Sequence, residues 1–200
     1  MRLEEWFEIY GKIISDFGFS PDKDDESARL MHRLGGEKLL DCDVLEKAIS
    51  GKEVTVVGGA VKGRIESEVI ITAGKAIVRW MKLSGRTPDV HVTDMEEPDE
   101  ILISLEKNGA VLVLHAHGDN MDRVRSVVPK VRKFVGTTQN VPFDRIYNFG
   151  GFTDGDRAAL IAKRFSAKKI ILHGFEFNAE GIKGRKLWWA KKILEIERIL

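Results

Sequence analysis

The spacing of apolar residues changes at about residue 50. Before that point, apolar residues recur every three to four positions, as they do on one face of a helix. Three segments show this spacing, at 6–17, 30–34 and 39–49. Ser20-Pro21 separates the first two as a cap and first helical residue, and glycines end the second and third. The pattern predicts a helical N-terminal region over residues 1–50, packed as a cap or arm on the rest of the chain.

From Glu53 onward, short runs rich in Val and Ile alternate with helical segments. We interpret six of these runs as strands: 54–57, 69–72, 89–93, 110–114, 145–149 and 169–173. Strands that alternate with helices predict a mostly parallel sheet with right-handed crossovers, buried on both faces. After the fourth run we expect one helix over 121–134 and then a small polar loop at 136–139. The prediction is an α/β fold, with a Rossmann-like sheet of about six strands flanked by helices and a catalytic domain over residues 51–200.

Composition narrows the class of protein. The chain has 200 residues, 43% of them hydrophobic, which suffices for a full core, and its dense charges balance to a net charge of +1. That balance argues against binding to nucleic acid or membranes through bulk charge. The single cysteine, Cys42, precludes an intrachain disulfide and favours a reducing compartment. We find neither an apolar signal segment nor a run of about 20 apolar residues, so we expect a soluble, cytoplasmic protein. The Trp188-Trp189 pair suggests packing or a homo-oligomer contact.

Polar residues and glycines collect where the predicted strands end, which is the edge where open α/β sheets bind ligands. The segment His115–Asn120 follows the strongly apolar run Ala110–Leu114 and carries two imidazoles, a carboxylate and an amide. We expect this segment to form a loop, and its chemistry favours an enzyme. His115, His117 and Asp119 are candidate zinc ligands. In the alternative interpretation, Asp119 or Asn120 only caps the following helix.

Asp94 and Glu96 form a second candidate site at the end of the third run. Residues i and i+2 share one face of an extended segment, so both carboxylates are placed to bind one cation. Hard oxygen ligands suit Mg²⁺, which usually combines one or two carboxylates with substrate phosphates. The alternative is an exposed acidic loop before the helix that begins near Pro98.

Two glycine-rich segments complete this edge. Gly58-Gly59 with Lys62 and Arg64 is compatible with a phosphate-binding loop, although a tight turn with solvated cations explains it equally well. The segment Thr153–Asp156 has the pattern of a helix-capping box. Capping does not explain the adjacent Gly150-Gly151 pair or Arg157.

Together these segments resemble the archaeal 6-hydroxymethyl-7,8-dihydropterin diphosphokinases over about residues 50–180. The resemblance rests on His115–Asn120, Gly136–Gln139 and Phe149–Arg157, with Pro88-Asp89, Thr93-Asp94 and Gly174–Glu176 in the expected order. It implies transfer of diphosphate from ATP to the hydroxymethyl oxygen of a reduced pterin, with Mg²⁺ and release of AMP. The implied pathway makes tetrahydromethanopterin or a folate-like carrier. Ala73-Gly74-Lys75 departs from the family's Ala-Asp-Gly-like turn and lacks its carboxylate.

The resemblance and the strand-end positions give each candidate residue an expected role. We expect Asp94, Glu96 and Asp119 to hold Mg²⁺, and His115 or His117, with Asp94 and Asp119, to act in catalysis. The expected ATP contacts are Gly58, Gly59, Lys62, Arg64, Asn120, Thr137, Thr138, Gln139 and Arg157. The expected pterin contacts are Gly151, Phe152, Thr153, Asp154 and Glu176.

Three alternatives stay open from the sequence. A metal-dependent hydrolase would use His115, His117 and Asp119 with water as nucleophile. A non-catalytic module would bind the nucleotide without consuming it. Bacterial motility-associated glycosyltransferases carry a related domain, although those chains are much longer.

Overall fold

The computed structural model describes all residues, 1–200. The strands are β1 (Glu53–Val57), β2 (Val69–Ala73), β3 (Val90–Thr93), β4 (Val111–Ala116), β5 (Val135–Thr138), β6 (Ile146–Tyr147) and β7 (Lys169–His173). The helices are α1 (Leu3–Phe17), α2 (Pro21–Gly35), α3 (Asp43–Ile49), α4 (Ala76–Ser84), α5 (Asp99–Lys107), α6 (Met121–Val127), α7 (Asp154–Arg164) and α8 (Gly181–Ile196). Short 3₁₀ turns occupy Gly36–Lys38 and Gly118–Asn120.

The strands form one seven-stranded sheet in the order β6-β5-β4-β3-β2-β1-β7. Every neighbouring pair is parallel. The chain therefore moves outward from β1 to β6 and then returns to place β7 on the other side of β1. The direction of winding reverses between β1 and β7, and such a switch point is where open parallel sheets form a binding crevice.

The predicted α/β class and parallel sheet are confirmed, but the strand count was one too low. The predicted helix over 121–134 ends at Val127, and the expected loop Gly136–Gln139 is largely strand β5. The apolar residues from Val124 to Phe134 keep helical spacing, which is why the helix prediction ran too far. Pro129 has no backbone N–H to continue a helix, so the chain turns there and re-enters the sheet.

The helices cover both faces of the sheet. Helices α2, α4, α5 and α6 supply one buried apolar cluster, and α3, α7 and α8 supply the cluster on the opposite face. Helix α1 packs through Trp6 and Ile13 against Phe152, Leu160 and Ile193 in a third cluster. The N-terminal helices thus lie directly on the sheet, and the corner between α1 and α2 reaches its carboxyl edge. None of the helices is both long and apolar enough to cross a bilayer.

Candidate active site

Two clefts open at the carboxyl edge of the sheet. The large cleft, about 450 Å³, lies at the switch point between β1 and β7. Its lining includes Gly58, Gly59, Thr153, Gly155, Phe175, Glu176, Arg79 and Lys183. The small cleft, about 120 Å³, lies beyond β3 and β4. Its lining includes Phe19, Lys23, Asp24, Asp94, His117, Asp119, Gln139, Phe152, Arg157 and Lys186.

The backbone shapes the large cleft. A Cβ on Gly58 would lie 2.6 Å from the carbonyl oxygen of Gly174, and a Cβ on Gly174 would lie 2.6 Å from Cα of Val61. Gly174 also has a φ of +75°, which favours glycine. The loops after β1 and β7 therefore touch along their main chains, and any side chain at these glycines would push them apart.

The large cleft also has the charge that an anion needs. Thr153 and Gly155, at the N-terminal end of α7, line it together with the cations Arg79 and Lys183. Backbone N–H groups at a helix N-terminus favour bound anions such as phosphate. Thr153 and Asp156 form the predicted capping box, since the carboxylate of Asp156 accepts from the amide of Thr153 at 2.7 Å.

Arg157 lines the small cleft and also reaches Asp154, which lies between Thr153 and Gly155 of the large cleft lining. Its side chain is only 2% exposed, and its Nη1 lies 3.4 Å from Asp94 Oδ1 and 3.2 Å from Asp154 Oδ1. A Cβ on Gly151 would lie 2.6 Å from the amide nitrogen of Arg157, so glycine is needed there, at a φ of +92°. Gly74, where the resemblance led us to expect a carboxylate, leaves room for Asp154, whose Oδ2 would lie 2.5 Å from a Cβ at that position.

The two carboxyl groups beside Arg157 differ in pKa. Burial raises the pKa of Asp154 well above its ordinary value, and the nearby charge of Asp94 raises it further. Burial also disfavours ionised Asp94, but the hydrogen bond from His117 and the charge of Arg157 outweigh it and lower the Asp94 pKa. Asp94 is therefore the ionised member of the pair, and Asp154 is the member that retains a proton. A cation placed between them would relieve their repulsion.

The two histidines have different environments. His115 belongs to β4 and is 1% exposed, which corrects our expectation that it would lie in the loop. Thr137 Oγ1 donates to the carbonyl of Leu114, so His115 Nδ1 donates to Thr137 at 3.0 Å and Nε2 is the unprotonated nitrogen. Burial lowers the His115 pKa well below its ordinary value, with the Arg157 charge acting in the same direction. His115 is therefore a neutral, buried residue.

His117 lines the small cleft. Its Nδ1 accepts from the amide of Asp119 at 3.3 Å, and its Nε2 lies 3.4 Å from Asp94 Oδ2. Burial opposes protonation of His117, but the hydrogen bond to Asp94 and the charge of Asp94 prevail and raise the His117 pKa. Of the two histidines, His117 is the one placed to exchange a proton with a bound ligand.

Several predicted site residues lie elsewhere. The Glu96 carboxylate is exposed and pairs with Lys75 at 2.5 Å, so it does not share a face with Asp94 as the spacing suggested. The reason is local, because Met95 takes a positive φ of 65° and its side chain is fully buried. Lys62 and Arg64 are exposed and outside both cleft linings.

Other predicted contacts act as internal braces. Asn120 Nδ2 donates to the carbonyl oxygens of His115 at 2.8 Å and Asp94 at 3.1 Å, which ties the ends of β3 and β4 together. Thr137 holds His115, as described above. Thr138 Oγ1 accepts from the amide of Asn140 at 3.2 Å.

The predicted zinc cluster does not assemble. No group of three or more His, Cys, Asp or Glu side chains is arranged to hold a metal ion. His115 is buried within the sheet, whereas Asp119 is exposed at the rim of the small cleft. The arrangement gives no support to the hydrolase alternative, which needs these three side chains around one metal.

Sequence reasoning missed Asp24. This residue of α2 is 3% exposed and lines the small cleft, although it is far in sequence from the lining residues of the sheet edge such as Asp94 and His117. It stands in the acidic segment Asp22–Asp25, where the pattern typical of a helix N-terminus does not separate it from its exposed neighbours. Two unpaired buried nitrogens, Nε of Arg157 and Nε2 of His115, add to the polar character of this region.

Comparisons with known proteins show the family to which the chain is similar. Residues 61–181 match the family described as MptE-like, 6-hydroxymethylpterin diphosphokinase. A relative from Methanocaldococcus jannaschii named 6-hydroxymethyl-7,8-dihydropterin pyrophosphokinase is 35% identical, over 89% of this chain and 81% of its own. Proteins of the same name from Pyrococcus furiosus and Methanothermobacter thermautotrophicus are 37% and 34% identical, over 96% and 89% of this chain and 83% and 80% of theirs.

The family match covers more than half of the chain and includes the segments that follow strands β2 to β7. The relatives extend the similarity through the N-terminal helices. The resemblance noted from the sequence is thereby confirmed, and the chain belongs to the MptE-like 6-hydroxymethylpterin diphosphokinase family.

Proposed function

We propose that the protein transfers diphosphate from ATP to the hydroxymethyl oxygen of 6-hydroxymethyl-7,8-dihydropterin, with Mg²⁺ and release of AMP. Such a step would serve the synthesis of tetrahydromethanopterin or a folate-like carrier. The observation that carries the proposal is the junction formed by Arg157, Asp94 and Asp154. Arg157 pairs with Asp94 of the small cleft and with Asp154, whose neighbours Thr153 and Gly155 line the large cleft. A transfer between two substrates needs two adjoining sites with charge-stabilising groups where they meet.

The large cleft suits ATP. It has the larger volume, the close-packed glycine loops and the N-terminal end of α7, and its cations are Arg79 and Lys183. We place the adenosine end and the phosphates there, with the β-phosphorus toward Arg157. The predicted nucleotide contacts Gly58 and Gly59 agree with this placement, whereas Thr153 and Glu176, predicted for the pterin, line the same cleft.

The small cleft suits the pterin. Phe19 and Phe152 supply aromatic surface, and Asp119, Gln139 and His117 supply polar groups for a ring edged with donors and acceptors. A pterin there would point its hydroxymethyl group toward Arg157.

The residues at the junction fit a magnesium ion. Asp94 and Asp154 present carboxylate oxygens next to the same guanidinium nitrogen, and both side chains are partly exposed. Mg²⁺ commonly binds through one or two carboxylates plus substrate phosphates. We propose these two as the residues that would hold it, with Asp154 in the role that we expected of Glu96. When bound, the ion would neutralise phosphate charge.

The remaining chemistry falls to the chain's own residues. The hydroxymethyl oxygen attacks the β-phosphorus, and the bond from that phosphorus to the oxygen of the α-phosphate breaks, so AMP leaves with the electron pair. Arg157 stabilises the negative charge that develops on the phosphoryl oxygens. His117 would accept the hydroxyl proton at Nδ1 once the amide of Asp119 releases that nitrogen, while its Nε2–H hydrogen-bonds to ionised Asp94, which stabilises the imidazolium. His115 positions the end of β4 and takes no proton.

An assay of nucleotide products tests this proposal. The purified protein is incubated with ATP, Mg²⁺ and the pterin, and nucleotides are separated by ion-exchange chromatography. We expect AMP and pterin diphosphate in equal amounts, and AMP only when the pterin is present. ADP as the product, AMP without pterin, or ATP left intact would contradict the proposal, and intact but bound ATP would favour the non-catalytic module.

A further inference from the structure

Asp24 is a buried carboxylate, 3% exposed, and forms no salt bridge with a lysine or arginine in the structure. Three donors satisfy it instead. Oδ1 accepts from the amide of Gly118 at 2.7 Å, while Oδ2 accepts from Tyr10 Oη at 2.5 Å and from Gln139 Nε2 at 2.7 Å. A charge without a counter-ion is expensive to bury, even when it is hydrogen-bonded. Its retention at this place indicates a task that an apolar residue would not perform.

Two of the three donors to Asp24 come from loops of the small cleft, and the third, Tyr10, belongs to α1. Gly118 follows His117 in the turn after β4, and Gln139 follows β5. Both His117 and Gln139 line the small cleft, as does Asp24 itself. The side chain of Asp24 therefore fixes the positions of the loops after β4 and β5.

Other contacts bring α1 and α2 close to these loops. A Cβ on Gly118 would lie 2.7 Å from Cβ of Lys23, so only glycine fits against the helix. Trp6 Nε1 donates to the carbonyl oxygen of Gln139 at 2.7 Å, and Asn140 Nδ2 donates to the carbonyl oxygen of Pro21 at 3.0 Å. The fit is specific to this corner of the molecule and does not involve the large cleft.

We infer that Asp24 is a positioning residue that sets the shape of the small cleft for the acceptor substrate, so that the N-terminal helices complete the active site. The inference rests on the proposed function in that the acceptor is taken to be the pterin. The carboxylate accepts hydrogen bonds from both loops at once. An amide in its place would present its own N–H₂ group to one of the donors and release that loop.

Asp24→Asn, which preserves the size of the side chain, tests this inference. We expect the KM for the pterin to rise by about tenfold or more, the factor that follows from losing one charge-assisted hydrogen bond. ATP binding, measured by calorimetry, should stay within about twofold because the large cleft is untouched. The amide of Gly118 should exchange its hydrogen faster in the ligand-free protein. Asp25→Asn, at a partly exposed position paired with Arg29, is the matched control and should behave like the unaltered protein.

The outcomes separate cleanly. A folded Asp24→Asn protein with an unchanged pterin KM, or with pterin and ATP binding weakened alike, would overturn the inference. If Asp24→Asn does not fold, Gly118→Ala replaces it, because the added Cβ would push the loop after β4 away from α2. An unchanged pterin KM, or equal weakening of pterin and ATP binding, would then overturn the inference. If the unaltered protein lacks diphosphokinase activity, the proposed function fails, while pterin binding and Gly118 exchange still test the role of Asp24.

Discussion

The two clefts are built in different ways. One wall of the large cleft is main chain, where the loops that contain Gly58 and Gly174 touch, and side chains such as Lys183 complete the lining. The walls of the small cleft are side chains from distant elements, including Asp24 of α2, His117 after β4 and Arg157 of α7. Where two main chains touch, substitutions at neighbouring positions are accepted, but a Cβ at the point of contact is not. A side-chain wall depends on each hydrogen-bond partner, so single polar substitutions should disturb it most.

The largest effect should come from Asp94, which lines the small cleft and pairs with Arg157. Asp94→Asn keeps the shape but removes the charge that partners His117 and Arg157. Loss of one preorganised electrostatic group costs about 10²–10³-fold in turnover, and we expect kcat to fall by that order in the AMP-release assay.

Glu96→Gln is the matched control for Asp94→Asn. Its carboxylate is exposed and pairs only with Lys75, and such surface pairs contribute roughly 0–1 kcal/mol. We expect turnover within about twofold of the unaltered protein. Full turnover by the Asp94→Asn protein would refute the role of Asp94 at the junction. A large loss of turnover in the Glu96→Gln protein would instead indicate that Glu96 holds the metal.

A backbone contact in the large cleft should give the next largest effect. Gly58→Ala would place a Cβ 2.6 Å from the carbonyl oxygen of Gly174, and main chain cannot rotate away as a side chain can. Overpacking of this kind destabilises by about 1–3 kcal/mol. We expect the free energy of unfolding, measured in urea, to fall by that amount and the KM for ATP to rise more than that for the pterin.

Gly59→Ala supplies the comparison at the next position. A Cβ there would meet nothing within 4 Å. Its free energy of unfolding should stay within about 0.5 kcal/mol of the unaltered value. Equal losses in the Gly58 and Gly59 variants would show that the close contact with Gly174 is not what shapes the large cleft.

The smallest effect should appear in the pH dependence of stability, through His115. Because its folded pKa lies well below the ordinary value, the folded protein keeps it neutral while the unfolded chain binds a proton below about pH 6.5. The contribution of His115 to the free energy of unfolding is complete above that pH. It is lost as the pH falls, by at most about 1.4 kcal/mol per pH unit. His115→Asn keeps a donor toward Thr137 and removes the titrating ring.

The difference between the His115→Asn protein and the unaltered protein isolates this contribution. His117, whose pKa is raised, acts with the opposite sign: it stabilises at low pH and loses that effect as the pH rises through its folded pKa. That contribution is common to both proteins. Urea unfolding between pH 5 and 7 should therefore show a shallower loss on acidification in the variant, and parallel curves would contradict the buried, neutral assignment.

The sequence alone sufficed for the α/β class, six of the seven strands and the edge of the sheet where polar residues gather. These features follow from local patterns, because apolar spacing and glycine positions act within a few residues of one another. The family resemblance likewise came from contiguous segments such as His115–Asn120. The missed strand β5 shows where local patterns fail. Apolar residues keep helical spacing past Pro129, but the helix ends before this proline and the chain then forms a strand.

The tertiary structure alone decided which of these residues work together. It joined Asp24 to Gly118 across 94 positions and Arg157 to Asp94 across 63. It also buried His115, turned Glu96 toward Lys75 and set Asp154 beside Asp94. The physical reason is that a side chain's partners and pKa depend on burial and on charges brought near by packing, which local sequence spacing does not encode.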